Sequence, residues 1–88
     1  DDFMIVIDSQ SRQPIYEQIV EHVESLIAAG VMSQGEQLPS VRALAVELSI
    51  NPNTIQKAYA ILEEHGAIYP LKGKGSFVTD SSRIRQIG

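Results

Sequence analysis

Leu38-Pro39-Ser40-Val41-Arg42-Ala43-Leu44-Ala45-Val46-Glu47-Leu48-Ser49-Ile50-Asn51-Pro52-Asn53-Thr54-Ile55-Gln56-Lys57-Ala58-Tyr59 is the stretch whose reading decides the fold. Ser40 is a good N-cap, because its hydroxyl can accept a hydrogen bond from a free N–H of the first helical turn. Pro39 favours an extended entry, since a residue preceding proline, here Leu38, is pushed out of the helical region. Val41, Leu44, Ala45 and Leu48 then recur at the i, i+3, i+4, i+7 spacing of one helix face. A second helix starts almost at once. Asn51 is a suitable N-cap, and Pro52 stands at the first helical position, where its missing N–H costs nothing. The apolar stripe of this helix is Ile55, Ala58, Tyr59 and Leu62, and Gly66 follows Glu63-Glu64-His65 as a left-handed stop. In the turn between the two helices, Ser49 is expected in a left-handed conformation.

Beyond the second helix, residues 67–71 and 76–78 read as strands joined by Lys72-Gly73-Lys74-Gly75. The glycines allow positive φ at the tip, and Pro70 suits an edge strand. Upstream, Pro14 opens a long helix running to about Ala29 and capped by Gly30, with Ile15, Tyr16, Ile19, Val20, Val23, Leu26 and Ile27 as its stripe. Glu17, Glu21 and Glu24 fall together on the other side and read as a solvated acidic face. Residues 3–7 look like a short strand, residues 8–13 like a polar linker and residues 30–37 like a turn. Gln37-Leu38 adds a brief strand to a small sheet. Together these elements predict an α+β, mainly α architecture, a winged helix-turn-helix of three helices plus a small antiparallel β-hairpin wing.

With 88 residues the chain is one small domain, and 43% hydrophobic residues place it among globular rather than disordered sequences. There is no cysteine, so disulfides and thiolate metal sites are excluded. The longest apolar run, residues 3–7, is far short of a membrane span, and a cytoplasmic chain without a membrane partner is expected. A net charge of −4 opposes nucleic-acid binding at first sight, but its distribution does not. Residues 1–39 hold seven acids and only Arg12 as a base, whereas residues 40–88 hold six bases against four acids, a balance of +2. Affinity set by phosphate neutralisation is then modest per monomer, which favours a dimer.

On the second short helix Asn53, Gln56, Lys57 and Ala60 gather opposite the apolar stripe. Such a face can simply be solvated, yet amide and ammonium groups are those that read base edges and phosphates. They cluster in the first turns, which are the ones that enter the major groove. A winged helix built for protein interaction would place apolar residues there instead. Catalysis finds no support: His22 and His65 look isolated, His22 at the margin of its stripe reads as structural, and the acids form no pair with a nucleophile. Gly73-Lys74-Gly75-Ser76 is not a phosphate loop, because the upstream glycine and the following helix are absent. No cofactor and no metal are expected.

Proline followed by Ile15-Tyr16-Glu17-Gln18-Ile19, the Leu38-Pro39-Ser40-Val41-Arg42 block, Asn51-Pro52-Asn53-Thr54, Ala58-Tyr59 and Gly73-Lys74-Gly75-Ser76-Phe77-Val78 resemble the DNA-binding domain of the GntR family, within it the short YtrA-type branch. The resemblance covers roughly residues 12–79 and implies a bacterial transcriptional regulator, a repressor, whose dimers bind two-fold symmetric operators in double-stranded DNA. It implies that Arg42 approaches DNA from the start of the first short helix. Asn51, Pro52, Asn53, Thr54 and Gln56 then occupy the start of the recognition helix, and Lys72 and Gly73 the wing tip. Ser40, Lys57 and Lys74 complete the expected contact set. Ser49 stands where the family commonly has glycine, and Gln56 where it is often basic, which bears on base preference. The domain is expected to span 1–79. Residues 80–88, with Ser81 or Ser82 as a cap and Ile84 and Ile87 on one side, are expected to begin a linker or helical dimerisation segment, so that a longer native chain is a homodimer. A MocR-type regulator, in which a similar domain precedes an aminotransferase-like domain using pyridoxal phosphate, is the alternative. The effector and the operator are not legible in the sequence.

Overall fold

The first helix, α1 (Ile15–Ala28), starts directly after Pro14, whose ψ of 149° keeps it outside the helix. It ends at Ala29 and turns away through Gly30 at φ +80°. This geometry comes from a computed structural model of the chain, which describes residues 7–8 and 10–79. The expected strand at residues 3–7 lies outside the described residues except for Ile7, which belongs to no strand. The polar linker after it is tied down by one side chain. Gln18 Nε2 donates to the carbonyls of Asp8 and Gln13 at 2.9 Å each, while its Oε1 accepts from the Asp8 N–H at 2.8 Å.

Helix α2 (Val41–Leu48) is capped as its sequence dictates, with the Ala43 N–H donating to Ser40 Oγ at 3.0 Å. It stops at Ser49, which adopts φ 58° and ψ 44°. That left-handed conformation costs a non-glycine residue about 1–2 kcal/mol, part of which a glycine returns through the entropy of its unfolded chain. Ser49→Gly is therefore expected to stabilise the domain by roughly 0.5–1 kcal/mol, read as a higher midpoint in thermal unfolding. A lower midpoint would show that the Ser49 side chain contributes more than the strain removes.

Helix α3 (Pro52–Glu64) begins at Asn51, whose Oδ1 accepts from the Asn53 N–H at 2.8 Å, and Pro52 fills its first turn. His65 and then Gly66, at φ +78°, end it. The wing follows as β1 (Ile68–Leu71) and β2 (Gly75–Val78), antiparallel, with Ile68 opposite Val78 and Leu71 opposite Gly75. The sheet is thus one residue shorter at Ala67 and one longer at Gly75 than the sequence predicts. The expected strand at 37–38 shrinks to a single bridge between Gln37 and Phe77. Leu38 N–H still reaches the Ser76 carbonyl at 2.9 Å, but Pro39 has no N–H with which to continue the ladder.

Helix α3 is the hub, packed against α1, α2 and β1. Its buried side, Ile55, Ala58, Tyr59 and Leu62, meets Ile19, Val23 and Ile27 of α1, Leu44 and Ala45 of α2, and Ile68 and Val78 of the wing in one apolar cluster. The ends of the predicted stripes fall short of that core: Ile15, Tyr16, Leu26, Val41 and Leu48 are only half-buried. Among the described residues no polar side-chain atom is buried without a hydrogen-bond partner.

Candidate nucleic-acid interface

Three elements bring the predicted contact residues to the surface. From α2, Ser40 and Arg42 are exposed; from the start of α3, Asn51, Pro52, Asn53 and Gln56 are exposed while Thr54 is half-buried. From the wing, Lys72, Gly73 and Lys74 form an exposed turn closed by the Lys74 N–H on the Leu71 carbonyl at 2.8 Å, with Gly73 at φ +78°. The N-terminus of α3 carries the positive end of a helix dipole at its exposed first turn.

Lys57 is not free on that face. Its exposed side chain leans toward α1, where the ammonium lies 4.2 Å from the centroid of the Tyr16 ring. Such a cation–π contact is worth about 0.5–1 kcal/mol at a surface, and it arises because the long lysine stem reaches across the α1–α3 seam. The acidic face of α1 also differs from expectation. Glu17 and Glu21 are exposed as expected, but Glu24 is half-buried and its Oε2 lies 2.6 Å from His65 Nδ1, so that His65 is not isolated. With Tyr16, Val20, Glu21 and Ile61 this pair lines an open cleft between α1 and α3. Its carboxylates carry the wrong sign for phosphate.

Behind the exposed set runs a connector that the sequence reading missed as a functional feature. Tyr59, 5% exposed, donates its hydroxyl to the Pro39 carbonyl at 2.8 Å. Burial pushes that hydroxyl well above its ordinary tyrosine range, so it stays protonated and a donor. Gln37 Nε2 donates to the Lys74 carbonyl at 2.7 Å and so grips the wing near its tip. The grip needs Gly75: at its φ of +113° a Cβ would stand 2.9 Å from Gln37 Nε2. A tyrosine in an apolar stripe is itself a signal, because a buried phenol needs a partner that phenylalanine does not.

Among the described residues no cluster of three or more His, Cys, Asp or Glu side chains could hold a metal ion. No helix among them is long and apolar enough to cross a membrane.

Residues 15–78 match the family model described as bacterial regulatory proteins, gntR family. The chain belongs to the gntR family. It is 45% identical over 80 residues to the HTH-type transcriptional repressor YtrA of Bacillus subtilis (strain 168), an alignment covering 91% of this chain and 62% of that protein. The chain thus spans less than two thirds of that relative's length. Its fold is similar to that of YtrA from Sulfolobus acidocaldarius, a GntR-family transcription factor, with a TM-score of 0.80 and 40% identity over 85% of this chain and 79% of that one. It is also similar to AraR(DBD) solved in complex with operator ORE1, with a TM-score of 0.72 and 28% identity over 88% of this chain and 94% of that one. The three helices and two-stranded wing of this gntR-family domain agree with the predicted winged helix-turn-helix.

Proposed function

We propose that this chain is the sequence-specific DNA-binding domain of a cytoplasmic transcriptional repressor that grips a palindromic operator as a homodimer in its full-length form. The observation that carries the reading is the exposed polar start of α3, together with the exposed Arg42 of α2 and the exposed lysine turn of the wing. The start of α3 enters the major groove, where Asn51, Asn53 and Gln56 offer amides suited to adenine edges. Thr54 and the Ser40 hydroxyl bond phosphates, with Pro52 holding the first turn rigid. Lys57, held over Tyr16, meets the backbone beside α1. Lys72 and Lys74 lie along the phosphates around Gly73. No catalysis is assigned to the chain.

Selection of bound duplexes from a random pool with the full-length protein tests the reading. An enriched two-fold symmetric sequence is the expected result, and a pool that stays random rejects it. On the recovered duplex, Arg42→Ala is expected to weaken binding by about 1–3 kcal/mol if the guanidinium reads a guanine, measured by fluorescence anisotropy. Unchanged affinity in a folded variant removes Arg42 from the site.

A further inference from the structure

Residues 37–40 touch each of the three elements to which the DNA contacts are assigned. Gln37 reaches the wing through its side-chain bond to the Lys74 carbonyl and its backbone bridge to Phe77. Leu38 N–H bonds to Ser76 of β2. The Pro39 carbonyl takes the Tyr59 hydroxyl of α3. Among the described residues no backbone N–H is bonded to that carbonyl, and the hydrogen bond it accepts there comes from Tyr59. Ser40 caps α2, and Arg42 stands two residues further on.

Resting on the DNA-binding reading above, we propose that Gln37 and Tyr59 are positioning residues: Gln37 sets the wing lysines, and Tyr59 sets the helix that carries Arg42, each relative to α3 and without touching DNA. Both elements need such a tether. A single two-stranded hairpin is marginal in water, and its base is fixed by Val78 on Glu36 and Gly35 on Val78, at 2.9 and 2.8 Å. The Gln37 amide is the tether nearest the tip. A helix of eight residues is likewise too short to hold its own direction. The Tyr59 hydroxyl fixes the chain just where α2 begins, and a buried phenol tolerates little displacement from its acceptor.

The test uses full-length protein and two duplexes, the one recovered by selection and one of random sequence, with affinity measured across a salt series. Gln37→Ala removes no charge yet is expected to flatten the slope of log affinity against log salt by up to about one unit, as a lysine loses its phosphate. Tyr59→Phe keeps the ring and the fold, and is expected to weaken the selected duplex about three- to tenfold while leaving the slope alone. In double-mutant cycles Gln37→Ala should couple to Lys74→Gln and not to Arg42→Ala. Tyr59→Phe should couple to Arg42→Ala and not to Lys74→Gln. Wild-type affinity and slope in both variants overturn the proposal, and so do effects that add with every partner. If the unsubstituted protein binds neither duplex, the DNA-binding reading fails by itself. Amide hydrogen exchange then judges the tethers alone: faster exchange at Ala43 and Leu44 in Tyr59→Phe, and at Lys74 and Phe77 in Gln37→Ala, is expected, and unchanged rates overturn it.

Discussion

Ile55→Ala is expected to destabilise the domain by about 2–5 kcal/mol, the range for truncating a buried isoleucine to alanine. Ile55 is 0% exposed on the helix that packs against α1, α2 and the wing. A cavity there is therefore bordered by several elements that cannot all collapse onto it. At roughly 0.05–0.15 kcal/mol per residue, a domain of this size holds only about 4–13 kcal/mol of net stability. The loss is then a large part of the whole, and the thermal midpoint should fall by roughly 10–30 °C. Val46, 75% exposed on α2, is the control, and its replacement by alanine should stay within about 0.5 kcal/mol. Circular dichroism melts of both variants decide the matter. A fall of only a degree or two in Ile55→Ala would mean that α3 is not the centre of the core.

The second large effect is on DNA. Replacing both Lys72 and Lys74 by glutamine should flatten the slope of log affinity against log salt by about two units, because each lysine neutralises about one phosphate. Carried from 1 M down to 0.1 M salt, that difference is a loss of roughly a hundredfold in affinity. The loss should be nearly the same on selected and random duplexes, since phosphates carry no base identity. The competing reading makes the two lysines solvated charges that keep an edge hairpin from pairing with other chains. An unchanged slope supports that reading and confines the wing to bracing the fold. A slope that holds while discrimination between duplexes collapses would assign base reading to the tip.

Elements whose cause is local are legible in the residues themselves. Ser40 and Asn51 announce their helices by capping chemistry that acts within three residues. Ser49, Gly66 and Gly73 sit where the chain must turn left-handed. The order of apolar stripes, followed by a glycine-rich basic turn, is enough for the wing. What periodicity does not supply is the meeting of side chains across elements. Lys57 and Tyr16, and Glu24 and His65, are brought together by the way α1 crosses α3. A helical wheel places each residue on a face but does not say what stands opposite. Tyr59 belongs to the apolar stripe by its spacing, yet its hydroxyl requires a partner that spacing alone does not locate. The proposed contact residues are legible as a set of mostly exposed, mostly polar groups. The connector behind them is not, because Gln37 looks like any surface glutamine.

The close approach of Gln37 to Gly75 divides the wing into two zones with different freedom to diverge. Beside the turn, a Cβ on Gly75 would stand 2.9 Å from Gln37 Nε2, so a side chain gained there would push away the amide that holds the hairpin. At the tip, a Cβ on Gly73 would meet nothing within 4 Å, but its φ of +78° strains any other residue there, whereas Lys72 and Lys74 beside it are exposed. The charge of positions 72 and 74 is therefore free to change while the grip behind them stays, like interchangeable heads on a shared mount. Change at the mount itself demands compensation at position 37.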